Sequence, residues 1–106
     1  MVHKAAKQSI KTTLAGYPAA FCFGTEETAS DICLSLAKIV DGIGMVLVVQ
    51  SNGTIKSSLR TTKDINLIPI AKKLGGNGHP FAAAFPCSTE KLIFILERKD
   101  LFDLID

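Results

Sequence analysis

A chain of 106 residues has room for one domain, and 47% hydrophobic residues can build its core without metals or disulfides. A charged fraction of 21% with that apolar content excludes intrinsic disorder. No apolar run reaches the roughly 18 residues of a membrane span, and the start, Met1-Val2-His3-Lys4-Ala5, lacks the apolar block of a secretory signal.

Residues 2–13 carry Lys4, Lys7 and Lys11 on one helical face, so 1–14 is expected to be a leading helix or the tail of a linker, with the domain proper over 15–106. Ala19 to Phe23 reads as a buried strand closed by Gly24. Thr25 is the expected N-cap of the next helix, with Glu26 and Glu27 in its first turn. Ala29, Ile32, Cys33, Leu36, Ala37 and Val40 follow helical spacing up to Gly42. Ile43–Val49 is almost continuously apolar, as a central strand covered on both faces should be. Asn52-Gly53 is a hairpin signal that returns the chain antiparallel through Thr54–Arg60. Asp64 or Asn66 then caps a helix that tolerates Pro69 in its first turn and ends at Gly75. Ala82–Cys87 is extended, Ser88 caps a helix to about Arg98, and Leu101–Ile105 adds a last apolar turn. The expected architecture is α/β, with a mixed sheet of four to five strands flanked by helices.

Cys22, Cys33 and Cys87 are odd in number and widely spaced, which argues against a structural zinc site and for buried thiols in a reducing, cytoplasmic compartment. The net charge of +2 does not by itself announce a nucleic-acid binder. Between Thr54 and His79, however, Lys56, Arg60, Lys63, Lys72 and Lys73 stand against Asp64 alone. That excess is either a solvated lysine-rich face or the approach to an anionic partner.

Two segments carry candidate chemistry. Gly75-Gly76-Asn77-Gly78 suits successive positive φ angles, and such a loop can aim backbone N–H groups at a phosphate. His79 follows directly and can donate to a phosphate oxygen. The competing reading is a helix C-cap followed by a turn. No Gly-Lys-Ser/Thr follows, which excludes a Walker loop, and no strand runs straight into the loop as a dinucleotide fingerprint requires. In Ser57-Ser58-Leu59-Arg60, alternation puts Ser58 and Arg60 on one face of a strand, where an arginine fork can grip a phosphate. Alternatively Arg60 pairs with Asp64 or Glu90.

Taken together, Ser58-Leu59-Arg60, Asp64-Ile65-Asn66, Ile70-Ala71-Lys72-Lys73-Leu74 and Gly75-Gly76-Asn77-Gly78-His79-Pro80-Phe81-Ala82-Ala83-Ala84 resemble the DHH-associated domain of the DHH phosphoesterase superfamily. Its hallmark is a Ser-x-Arg strand followed by Gly-Gly-Gly-Gly-His-x-x-Ala-Ala-Gly. The resemblance spans about Gly16 to Glu90. Asn77 stands where the family has a glycine, and Ala84 replaces the glycine that ends the motif. The resemblance implies a binding half that accompanies a catalytic DHH domain, as in RecJ-type exonucleases, small-oligoribonucleotide nucleases and cyclic-dinucleotide phosphodiesterases. The DHH domain would hold manganese or another divalent metal and hydrolyse the phosphodiester. This chain would grip a terminal nucleotide, or a single-stranded nucleic-acid end, with Arg60 as phosphate clamp. Gly75, Gly76, Asn77 and Gly78 would form the loop, His79 a phosphate or base contact, and Ser58 a support.

No Asp-His-His triplet occurs and His3 and His79 are the only histidines, so no cofactor and no catalytic residue is expected in this chain itself. The expected function is therefore a nucleotide-binding module of a metal-dependent phosphodiesterase or exonuclease, with the DHH domain upstream or in trans. Two other readings stand beside it. One is a non-catalytic scaffold of a replication or repair assembly; the other is a tRNA-binding appendage like that of alanyl-tRNA synthetases.

Overall fold

The apolar run Ile43–Val49 forms strand β3 at the heart of a six-stranded mixed sheet, in the computed structural model, which describes residues 9–104. The elements run β1 (Ile10–Leu14), β2 (Tyr17–Gly24), α1 (Ala29–Val40), β3 (Ile43–Val49), β4 (Ile55–Thr61), α2 (Leu67–Lys73), β5 (Asn77–His79), β6 (Ala82–Cys87) and α3 (Thr89–Leu96), then a 3₁₀ turn at Leu101–Asp103. The sheet order is β1-β2-β3-β4-β6-β5. Only β2 and β3 pair in parallel, joined by the crossover through α1; every other neighbouring pair is antiparallel.

The sheet separates two apolar layers. On one side Ala29, Ile32, Cys33 and Leu36 of α1 pack on Ala20, Cys22, Val46 and Val48. On the other, Leu67, Ile70 and Ala71 of α2, Leu74 beyond its end and Ile95 of α3 pack on Phe21, Met45, Leu47, Leu59 and Phe85. Coverage on both faces explains why β3 reads as one unbroken apolar run. Each fully buried Leu, Ile or Met contributes about 1.5–3 kcal/mol by leaving water.

The α/β class and mixed sheet agree with the sequence reading; the strand count is higher, because two strands arise from segments read otherwise. Within 1–14, expected as a leading helix or linker tail, Ile10–Leu14 is strand β1, and residues 1–8 lie outside the described residues. Leu14 of β1 is fully buried, and the Ala15–Gly16 turn pairs Leu14 with Tyr17. Second, Asn77–His79, expected in a loop, is strand β5 on the edge of β6.

The capping residues also differ in part. Helix α1 is preceded by a turn from Thr25 to Thr28, so its N-cap is Thr28, and Glu26 and Glu27 lie before the helix. The helix ends on Asp41 in the left-handed conformation (φ 54°), with Gly42 donating to the Ala37 carbonyl at 3.0 Å. Gly42 is needed elsewhere: a Cβ there would run into the backbone of Pro18. Asn66 and Ser88 cap α2 and α3 through their side chains as expected.

Asp100 ties the last turn to the first hairpin. Its carboxylate accepts from the amides of Ala15 and Gly16 at 2.8 Å each, from Phe102 at 3.0 Å and from the Thr13 hydroxyl at 3.3 Å. Burial alone would raise this carboxyl, but the hydrogen bonds from Phe102, Gly16, Ala15 and Thr13 outweigh it and hold it below its ordinary value. Asp100→Ala is expected to cost about 2 kcal/mol, since four donors lose a charged acceptor. Because the folded carboxyl is the more acidic, its contribution is complete above about pH 4 and is lost as pH falls through the lowered value. Melting curves of the wild type and Asp100→Ala should differ by a constant gap from pH 7 to about 4.5 and converge near pH 2. A gap that persists undiminished at pH 2 would show that the carboxylate charge is not what the hairpin uses.

Candidate functional site

The register of the sheet brings the two candidate segments together. Gly44, Arg60, Ala82 and His79 lie in one row across β3, β4, β6 and β5, and Val46, Ser58, Ala84 and Asn77 form the next. Val46 faces α1, so directly paired neighbours put Ser58, Arg60, Asn77 and His79 on that same face. Helix α1 lies mainly over β2, β3 and β4. Beyond its edge the sheet opens into a groove of about 290 Å³ lined by Lys56, Ser58, Arg60, Asn77, Gly78, His79 and Ala82–Ala84.

Three lining residues can carry positive charge (Lys56, Arg60, His79), and among the described residues no carboxylate lines the groove. Lys56 is held by Glu26 at 2.9 Å. Arg60 is half-buried, its Nη1 donating to the Leu59 carbonyl at 2.8 Å, and neither Asp64 nor Glu90 pairs with it. That disposes of the expected ion pair and leaves the other face of the guanidinium fork for a ligand. Arg60 stands on a rigid central strand, while His79 and Asn77 are exposed on the edge strand. Ser58 is nearly buried, and its carbonyl accepts from the Cys33 thiol at 3.2 Å.

The alanines at 82 and 84 leave the floor of the groove low. The glycines act differently from the expected loop. Gly75, in the left-handed conformation (φ 91°), and Gly76 end α2: Gly75 donates to the Lys72 carbonyl at 3.0 Å and Gly76 to that of Ala71 at 2.7 Å. This is a Schellman cap, and neither residue lines the groove. Gly78 lies in β5 against Ala83, and its amide is taken by the Asn77 side chain at 2.9 Å. The amides of all three glycines are thus engaged within the chain. The fold's filled backbone nest is instead Ala15–Gly16, occupied by the Asp100 carboxylate.

Lys56 is the lining residue that sequence reasoning passed over. The alternation that placed Ser58 and Arg60 on one face extends two residues back to Lys56. The cysteines offer no nucleophile to this site. Burial pushes the Cys33 thiol up to about 12 despite the nearby Arg60 charge, and burial also raises Cys22 and Cys87. All three therefore stay protonated near neutral pH.

Comparison with known proteins bears on the whole domain. No curated protein matches the chain. Among solved structures the fold is similar to the pGpG-specific phosphodiesterase PggH from Vibrio cholerae, with a TM-score of 0.60 and 15% sequence identity. The match covers 96% of this chain and 36% of that one, so this chain spans about a third of its length. Among the described residues no helix is long and apolar enough to cross a membrane. The family model of the DHHA1 domain matches residues 15–102, from the β1–β2 turn to the last 3₁₀ turn. The Ser-x-Arg strand and the Gly-Gly-Asn-Gly-His segment lie inside that span, and the chain belongs to the DHHA1 domain family.

Proposed function

We propose that this chain is the substrate-binding module of a DHH-type phosphoesterase and that the groove on β4, β6 and β5 holds a terminal phosphate or nucleotide. The observation that carries this reading is the register that sets Arg60 beside Ala82 and His79, where the sheet face emerges beyond the edge of α1. Arg60 supplies a planar fork matched to two phosphate oxygens. The His79 ring and the Asn77 amide add donors from the edge strand, and Ser58 stands in the same row as Asn77. The glycines contribute by letting β5 reach this position rather than by offering their amides.

Hydrolysis in this reading belongs to a separate DHH domain, preceding this one in a longer chain or acting in trans. A divalent metal there, manganese by the resemblance, would activate water for attack on the phosphodiester. The groove itself does not fit a metal: its cations Lys56 and Arg60 repel a dication, and His79 is the one metal-ligating side chain among its described lining residues. Among the described residues no three His, Cys, Asp or Glu side chains gather to hold one.

The test is a titration of a 5′-phosphorylated oligonucleotide of a few residues into the chain, followed by two-dimensional NMR, which detects millimolar affinities. Arg60→Ala is expected to weaken binding about 10–100-fold, the loss of a charged hydrogen-bond pair. It should also flatten the salt dependence by about one phosphate contact. His79→Ala should weaken it several-fold. Binding indifferent to both substitutions would overturn the reading, and weak salt dependence would point instead to a protein-binding scaffold.

A further inference from the structure

The groove does not end at Lys56. It runs into a second, solvent-open cavity of about 340 Å³ lined by Gln50, Thr54, Ile55, Lys56, Ala84, Phe85 and Pro86. The two cavities share Lys56 and Ala84, so they form one trough along β4. The pairing of β5 with β6 stops at Asn77 opposite Ala84, and further along β6 the Lys91 ammonium donates to the Pro86 carbonyl at 3.3 Å. Pro86, without an N–H, suits an unpaired edge.

The lobes differ in chemistry. At the Arg60 end the guanidinium has no carboxylate partner. At the far end the one cation, Lys56, is neutralised by both oxygens of Glu26, at 2.9 and 3.2 Å. The floor there is apolar, made by Ala84 and Pro86. Its rim is uncharged: the Thr54 hydroxyl contacts the Gln50 carboxamide oxygen at 3.0 Å and the Asn52 oxygen at 2.6 Å. Gln50 lines the lobe, and among the described residues its amide N–H groups have no hydrogen-bond partner.

From this asymmetry we infer that the Gln50–Pro86 lobe is a nucleobase subsite, which fixes the polarity of the bound ligand. A phosphate is held at Arg60 and a base lies flat on Ala84 and Pro86, its edge accepting from the Gln50 amide. A second phosphate is disfavoured there, because Glu26 cancels the charge of Lys56, the one cation among the described lining residues. Four residues of strand separate Arg60 from Lys56, about 13 Å at the usual rise. That span places a base one sugar or more beyond the phosphate at Arg60 and excludes inorganic phosphate as the whole ligand. The inference rests on the proposed phosphate-binding role of Arg60 and extends it to the rest of the ligand.

The experiment compares a 5′-phosphorylated dinucleotide with the same sugar–phosphate chain lacking both bases, each titrated into the full chain by NMR. The intact ligand is expected to bind about tenfold more tightly and to shift the amides of 54–56 and 85, which the abasic one leaves in place. Gln50→Ala and Pro86→Ala, both at the rim and away from Arg60, should reduce the tenfold advantage to within about twofold. Neither should change the affinity of the abasic ligand. Equal affinities for both ligands, with Arg60→Ala weakening both, would remove the base subsite and leave the phosphate site standing. A base advantage insensitive to both rim variants would also overturn it, by placing the base elsewhere. Failure of both ligands to bind, or indifference of both to Arg60→Ala, would overturn the phosphate reading and the subsite with it.

Discussion

Replacing Gly44 by alanine is expected to destabilise the domain by about 3–4 kcal/mol, at the upper end for a single methyl group. Gly44 lies in β3 on the face that meets α1, where the helix backbone itself rests on it. A Cβ at this position would collide with the Cys33 carbonyl oxygen, lying also 2.8 Å from its carbon and 2.9 Å from the Ala37 nitrogen. All three are main-chain atoms, so no rotamer change relieves the clash. The helix must lift, and with it the contacts of Ala29, Ile32, Cys33 and Leu36 with the sheet.

The melting temperature should fall by about 15 °C or more, as a loss of this size implies for a domain near 100 residues. Gly53→Ala is the control. Gly53 has positive φ (86°) at the hairpin tip but nothing within 4 Å of an added Cβ, so its cost is backbone strain alone, about 1 kcal/mol. Truncating Cys33 or Ala37 to glycine should not rescue Gly44→Ala, because their side chains are not what it strikes. A Gly44→Ala protein that melts within a few degrees of the wild type would mean that α1 is not seated on β3 in this way. Gly44 is also the direct neighbour of Arg60 across the strands, so displacing α1 disturbs one wall of the groove.

What the sequence disclosed follows the range of the forces involved. Strand β3, the Asn52-Gly53 hairpin and the Asn66 and Ser88 caps rest on contacts within a few residues, and each stands where local pattern put it. Ser58 and Arg60 share a face because alternation is a local rule, although it needed the pairing with β6 to show what lay opposite them. Strand β1 was hidden because lysine spacing at 4, 7 and 11 imitates a helix face. What organises its turn is Asp100, a partner 84 residues from Gly16. Strand β5 was hidden for a different reason. Gly-Gly-Asn-Gly has no strand propensity, and only the edge of β6 makes Asn77–His79 extended. The same glycines that looked made for a phosphate are accounted for by a helix cap and a close strand pairing, both invisible before the sheet order is known.

Gly78→Ala separates these two uses of glycine. An added Cβ would lie 2.6 Å from the Ala83 Cβ and 2.7 Å from the Ala82 oxygen, and φ is +155°. The cost, about 2–3 kcal/mol, falls on a three-residue edge strand, which can detach without unfolding the sheet. The expected result is a melting temperature lower by several degrees, with amide-exchange protection lost around Gly78 and Ala83 but retained in β3 and β4. Detachment takes Asn77 and His79 away together. Affinity for a 5′-phosphorylated oligonucleotide should therefore fall at least as far as in His79→Ala, while Arg60 keeps a residual, salt-sensitive attraction. The opposite pattern is equally readable. Unchanged melting and unchanged protection with phosphate binding abolished would mean that the ligand, and not β6, requires the missing side chain. Because the Gly78 amide is already engaged by Asn77, the first outcome is the one the hydrogen bonding supports.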